Sequence, residues 1–279
     1  MNATGLLSLL LVIANLAVSY KGFKDQLFFD KYKFEVEKIV FYKDYKRLFT
    51  SGFLHVNWMH LIFNMLTLWI FGGMAGAFLN GFEFMLIYVA GIVGGNWLSF
   101  VIHKHHGEYS AVGASGAVCA LIFASIALVP GFQVGLFFLP LPGWLFGLLF
   151  VGFSMYGIKS RSENVGYEAH LGGALIGMVI ALLLHPTAFL ENYLTILVIA
   201  VPTVAFIYII ITRPHVLLID NFFFKSRNDQ YSVDHKYNES KASQQKEIDE
   251  ILDKINSKGI RSLSKREREK LDEYSRASR

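Results

Sequence analysis

Ala111-Val-Gly113-Ala114-Ser115-Gly116-Ala117-Val-Cys119-Ala120-Leu-Ile-Phe-Ala-Ser-Ile-Ala-Leu128-Val129 is an uncharged run with a serine set among small neighbours. A helix needs about 20 apolar residues to cross a bilayer. The run therefore has the length of a span, and Ser115 lies a short way below one membrane surface. Serine is a common packing residue in membrane helices. Here, however, its small neighbours leave the hydroxyl uncovered, so the rest of the chain decides what it is for.

The rest of the chain repeats the pattern. Apolar runs occur at Ala3–Tyr20, Met59–Phe78, Phe82–Ile102, Phe132–Ile158, Ala169–Leu184 and Tyr193–Ile211, making seven with Ala111–Val129. In lipid only helices and closed barrels satisfy the backbone. The expected fold is therefore an all-α polytopic membrane helix bundle spanning residues 1–211. The first run lacks a basic leader and a clear cleavage site, so it reads as a span. Pro140, Pro142 and Gly143 should break or loosen the first part of the fifth run.

Charge supports the same division. Hydrophobic residues make up 53% and charged residues 17%, against roughly 25% charged in soluble domains. Between Leu48 and Ile211 there are three Lys/Arg, five Glu and no Asp. Eight Lys/Arg fall in Lys21–Arg47 and fifteen after Ile211. The basic residues of the tail are interleaved with twelve acids, which reads as a solvated surface touching anionic lipid at most, not as a nucleic-acid interface. The single Cys119 excludes an internal disulfide framework and reads as packing.

Within the first loop, Leu27-Phe28-Phe29 and Ile39-Val40-Phe41-Tyr42 are apolar patches among charges, suited to segments lying in the interface. After Arg213-Pro214 the composition becomes that of a soluble tail, with Phe222-Phe223-Phe224 at the interface and a polar linker over 212–242. Residues 243–279 read as a small helical hairpin. Ile248, Ile251, Leu252 and Ile255 keep helical spacing, Gly259 is a stop, and Ser264 with Glu267 fits a capping box. Its core is too small to stand alone, so it should dock on a partner, which the sequence does not name, or on lipid.

Polar groups at membrane depth are costly and point to function. His60 opens the second run, and Asn64 follows at the spacing that shares a helix face. Ser115 is five residues into the fourth run, and His170 two into the sixth. Even-numbered spans cross in one direction, so all four residues fall on the same side at similar depth. A serine hydroxyl needs a base within hydrogen-bond reach. With no Asp available, and each Glu at a span end or in a loop, a Ser–His dyad is the natural arrangement. Gly173-x-x-x-Gly177 permits close approach of another helix, and Gly113, Gly116, Ala117 and Ala120 offer a matching small surface. That contact would bring His170 to Ser115 and leave His60 and Asn64 as oxyanion donors. His55 is either a site or a capping residue. His103, His105 and His106 could suggest a metal, but no Cys or Asp accompanies them, and a loop or interface role is preferred.

Three motifs now make the chain resemble the rhomboid family of intramembrane serine proteases: His55-Val-Asn-Trp-Met-His60-Leu-Ile-Phe-Asn64, Gly113-Ala-Ser115-Gly116, and Ala169-His170-Leu-Gly-Gly173 with Gly177. The resemblance covers roughly Lys46 to His185, a six-span core to which this chain adds a seventh span and the tail. It implies that Ser115 is the nucleophile and His170 the base. It also implies that His60, Asn64 and the Ser115 backbone N–H form the oxyanion hole. Arg47 stands where the family's first loop has a Trp-Arg pair, with Lys46 in place of the Trp. The implied substrates are single-span membrane proteins cut in or near the bilayer, with a small residue before the cut and helix-destabilising residues nearby. The fifth span would be the lateral gate, and no metal or organic cofactor is implied.

The basic loops would make the site side cytoplasmic by the positive-inside rule. The family places its site toward the exterior, and long loops are poor guides, so the expectation is a bacterial inner membrane with the site facing outward. The alternative functions are a catalytically silent relative that binds transmembrane segments and a transporter using the inward histidines. The latter would need polar residues along several spans, whereas here they gather at one depth.

Overall fold

The computed structural model describes residues 3–136, 139–160 and 165–212, and in the tail positions 248, 251, 254, 255, 262–264, 267, 268, 270 and 271. Two compact units are present, Met1–Phe224 and Lys225–Arg279.

The first unit is an all-α bundle. Helix α1 (Ala3–Lys24) leads into a structured loop made of α2 (Gln26–Tyr32), β1 (Phe34–Glu35), α3 (Val36–Tyr42), α4 (Arg47–Thr50) and a 3-10 turn at Ser51–Phe53. Then come α5 (Trp58–Ala75), α6 (Gly81–His103), β2 (Ser110–Ala111) and α7 (Ser115–Leu128). A hairpin of β3 (Gln133–Leu136) and β4 (Leu139–Pro142) precedes α8 (Gly143–Lys159), α9 (Tyr167–Leu184) and α10 (Thr187–Thr212). Helices α1, α5, α6, α9 and α10 are long and apolar enough to cross a membrane, and α7 and α8 are shorter apolar helices. The protein is a multi-pass membrane bundle.

Helix boundaries follow local chemistry. Asn57 caps α5 by accepting from His60 N at 2.9 Å. Asn80 and Glu83 close a capping box on α6. Helix α10 is kinked at Asn192, so its main segment begins at Tyr193, as the sequence suggests. The amide Nδ2 of Asn192 donates to the carbonyls of Ala127 and Leu128, each at 3.0 Å. It thereby serves the carbonyls that a helix end leaves without intrahelical partners.

Two expected spans come out differently. The fourth begins at Ser115, not at Ala111. Residues 110–111 pair with β1 as an antiparallel bridge, and Gly113 adopts φ +132°, a conformation no helix contains. Ser115 is therefore the first residue of its helix, not the fifth. The expected fifth run contains a β-hairpin, with Gln133 opposite Pro142, and only Gly143 onward is helical. Pro140 and Pro142 lack the N–H that a helix would use.

Helix α7 is the axis of the bundle, buried from Gly116 to Ala127. Its 14 residues span about 21 Å at 1.5 Å each, short of the roughly 30 Å hydrocarbon core. It cannot reach both surfaces, so at least one of its ends lies within membrane depth.

In the tail unit, Ile248, Ile251 and Leu263 form a buried cluster with Ile255 and Leu271 against it. The expected capping box is formed: Ser264 N donates to Glu267 at 2.6 Å, and Glu267 N to Ser264 Oγ at 3.3 Å. The Lys254 ammonium 2.8 Å away, together with Ser264, holds the Glu267 carboxyl down to about 2. The expectations for Phe222–Phe224, for the linker and for Gly259 lie outside the described residues.

Candidate active site

Glycines bring the two central helices together. A Cβ at Gly173 would collide with the Gly116 carbonyl, and one at Gly177 with the Ala120 carbonyl. Helices α7 and α9 thus meet backbone to backbone along the small surfaces expected from their sequences. Gly116 in turn faces the Gly91 carbonyl of α6, whose oxygen would be 3.1 Å from an added Cβ. This packing sets Ser115, at the start of α7, opposite His170, in the first turn of α9. Ser115 Oγ and His170 Nε2 are 2.8 Å apart. Both residues are half-buried.

His60 and Asn64 come from the first two turns of α5. Asn64 is buried, and its Nδ2 donates to His60 O at 3.0 Å. A Cβ at Gly113 would stand 3.0 Å from His60 Nε2 and 3.8 Å from Ser115 Oγ, so these groups border one small space. Only glycine leaves that space open, and its positive φ also turns the chain from β2 into α7. The Gly113 N–H is anchored on Ser51 O at 3.0 Å. The first N–H groups of α7 have no intrahelical partner and carry the positive end of the helix dipole. The Ser115 hydroxyl, the His170 imidazole and the His60 ring therefore gather around the start of α7.

The supporting positions sort differently. His55 does not cap α5. Its ring lies 4.9 Å from that of His60 at 70°, and its Nδ1 is 2.8 Å from Ser19 Oγ on α1. Ser19 Oγ donates to Phe53 O at 2.9 Å, so His55 Nδ1 is the donor toward Ser19. Burial, reinforced by His60, pushes the His55 imidazole down to about 3. Arg47 lies in the loop scaffold: its guanidinium donates to Asp30 O (2.7 Å) and Lys33 O (2.8 Å) and pairs with Asp44 (3.0 Å). It fixes the first loop without a Trp beside it.

Other neighbours are not evident from the chain alone. The His170 ring is flanked by Phe150 of α8 at 5.7 Å and by Tyr167 at 5.8 Å. Tyr167 precedes His170 by one turn, a spacing visible in sequence; Phe150 has no such signal. Glu168 is buried and its Oε1 lies 3.1 Å from His103 Nε2, while His103 stacks on Tyr109 at 3.7 Å. The histidine cluster after the third span thus contributes a clamp between α6 and α9.

A multi-pass helical bundle with a serine–histidine pair held between two helices near one membrane surface defines a narrow class of membrane protein. Residues 42–187, just over half of the chain, match the Rhomboid domain, and the chain belongs to the rhomboid family. Residues 231–277 match a family of unknown function, DUF6576. Among curated relatives, RHOMBOID-like protein 12, mitochondrial, of Arabidopsis thaliana is 33% identical over 150 residues, covering 47% of this chain and 44% of its own length. Rhomboid protein 1, mitochondrial, of Saccharomyces cerevisiae is 31% identical over 134 residues, covering 46% and 39%. Presenilin-associated rhomboid-like protein, mitochondrial, of Homo sapiens is 30% identical over 132 residues, covering 46% and 35%. The match takes in less than half the length of each of these relatives.

Proposed function

We propose that the protein is an intramembrane serine endopeptidase that cleaves single-span membrane proteins in or near the bilayer. The observation that carries this reading is the 2.8 Å approach of Ser115 Oγ to His170 Nε2 across the α7–α9 contact.

In the proposed reaction, neutral His170 accepts the Ser115 proton at Nε2 as Oγ attacks the scissile carbonyl. The carbonyl oxygen becomes an oxyanion facing His60, Asn64 and the Ser115 N–H. His170 then gives its proton to the leaving amine, and an acyl-enzyme remains on Ser115. A water molecule, deprotonated by His170, attacks the ester and releases the second fragment, restoring the serine. A helical substrate hides its peptide bonds, so it must unwind to enter the pocket. That favours a small residue before the cut and helix-destabilising residues nearby. Helix α8, following the proline-containing hairpin, is the lateral gate. The chemistry is complete with side chains and water and calls for no cofactor.

The expectation of a bacterial inner membrane with an outward-facing site rests on sequence, and the relatives named above are mitochondrial proteins. In the same reading, residues 212–242 are a linker and 243–279 a helical hairpin that docks on a partner or on lipid.

The deciding experiment is labelling of the purified protein with a fluorophosphonate probe. Labelling at Ser115 that disappears in His170→Ala is expected. A probe that ignores Ser115 in folded protein would leave a silent binder of transmembrane segments as the better reading.

A further inference from the structure

Six of the eight basic residues of the first loop fall into two groups; Lys38, over the Tyr42 ring at 5.1 Å, and Lys43 stand apart. Arg47 and Lys33 are buried; Lys33 pairs with Asp30 at 2.9 Å and Glu35 at 3.6 Å. Lys46 pairs with Asp44 at 3.3 Å. By contrast Lys21 and Lys24, in the last turn of α1, and Lys31, in α2, are exposed. Among the described residues no carboxylate lies within ion-pair distance of these three.

Each of the three stands over an aromatic ring. Lys21 Nζ is 4.4 Å from the Phe28 centroid, Lys24 Nζ 5.9 Å from that of Tyr20, and Lys31 Nζ 5.7 Å from that of Tyr32. The rings form two groups joined through Lys21, which follows Tyr20 in α1 and stands over Phe28: Phe28 and Tyr32 are 4.7 Å apart, and Tyr20 and Phe23 contact Trp58 at 6.4 and 5.0 Å. Trp58 opens α5 two residues before His60, and Ser19, next to Tyr20, bonds His55. The strip therefore lies at the level of the candidate site. Tyr and Trp at helix ends mark the headgroup level of a bilayer.

Neighbouring like charges one turn apart repel, and the strip's own acids are committed elsewhere. Asp25 caps α2 by accepting from Phe28 N at 2.9 Å, and Asp30 belongs to Lys33. Lysines in a last helical turn also suit the helix dipole, but that alone places no rings beneath the ammonium groups. An external anion would complete the strip. At headgroup depth the abundant anion is the lipid phosphate, and it goes uncompensated in anionic lipids, which lack the cationic headgroup of phosphatidylcholine.

We propose that Lys21, Lys24 and Lys31, with Tyr20, Phe28 and Tyr32, form a docking surface for anionic phospholipid headgroups beside the candidate active site. The basic excess of the first loop is then held against an anionic leaflet, whichever compartment that leaflet faces. This inference does not depend on the protease reading.

The test is native mass spectrometry of the full-length protein with equal amounts of dioleoyl-phosphatidylglycerol and dioleoyl-phosphatidylcholine. Preferential retention of phosphatidylglycerol is expected. Each Lys→Gln change at Lys21, Lys24 and Lys31 should lower the retained ratio by about fivefold, and a triple Lys→Arg variant should keep it. Lys104→Gln, which removes a charge elsewhere, should leave the ratio unchanged. No preference in the wild type, a triple Gln variant that keeps the preference, or an equal loss in Lys104→Gln would overturn the proposal. So would a triple Gln variant that keeps its lipids but weakens binding of a substrate with an acidic flank, because the strip would then be a protein surface.

Discussion

Each polar residue in the site is placed by a neighbour that holds its backbone or its ring. Ser115 lies just beyond the left-handed turn at Gly113, and His170 is flanked by Phe150 and Tyr167. If Ser115 and His170 act as a unit, either alanine variant should abolish cleavage of a model single-span substrate to the same extent, with the helical circular dichroism intact. His60→Ala and Asn64→Ala should each lower turnover by roughly 10²–10³, measured in the same proteoliposome assay; unfolding instead would make them structural. His55 gives a stability prediction. Its imidazole is held near 3 in the folded protein and near 6.5 when unfolded. Between those values the unfolded chain binds the extra proton, so stability is complete above about pH 6.5 and falls as the pH drops toward 3. Thermal melts in detergent should show that decline, and His55→Gln should make it shallower.

At the scale of elements, the α7–α9 contact governs the site. Its closeness comes from Gly173 and Gly177 resting on the carbonyls of Gly116 and Ala120. The obstacle is backbone, which cannot rotate away as a side chain can. Gly177→Val should therefore force the helices apart, costing about 1–3 kcal/mol or more. The expected readouts are a lowered melting temperature and lost fluorophosphonate labelling, although Ser115 and His170 are both present. A variant that labels and melts like wild type would show that the contact is looser than described.

At the scale of the whole molecule, the seven apolar helices among the described residues, if each crosses, put the first loop and the end of α10 on one side of the membrane. Lys43 and Thr212 are both exposed, and the native Cys119 is buried. Single cysteines at Lys43→Cys and Thr212→Cys should therefore react with a membrane-impermeant maleimide from the same face of oriented vesicles. Labelling from opposite faces would mean that one apolar helix does not cross. The same vesicles would report which compartment the site faces, where loop charge and family resemblance point in different directions.

Much of this protein was legible in its sequence because lipid imposes simple rules. Backbone groups must be satisfied within helices, charge is excluded from the spans, and polar residues at depth therefore stand out. Those rules mark the seven apolar segments, the small-residue surfaces of α7 and α9, and the polar set Ser115, His170, His60 and Asn64. They do not mark the start of α7 at Ser115, the hairpin before α8, the turn of His55 toward Ser19 or the approach of Phe150 to His170. These depend on partners distant in the chain: a strand bridge to the first loop, prolines paired across a hairpin, a hydroxyl on α1, a ring on α8. Spacing along one helix is written in the chain, whereas contacts between helices exist only once packing has chosen which faces meet.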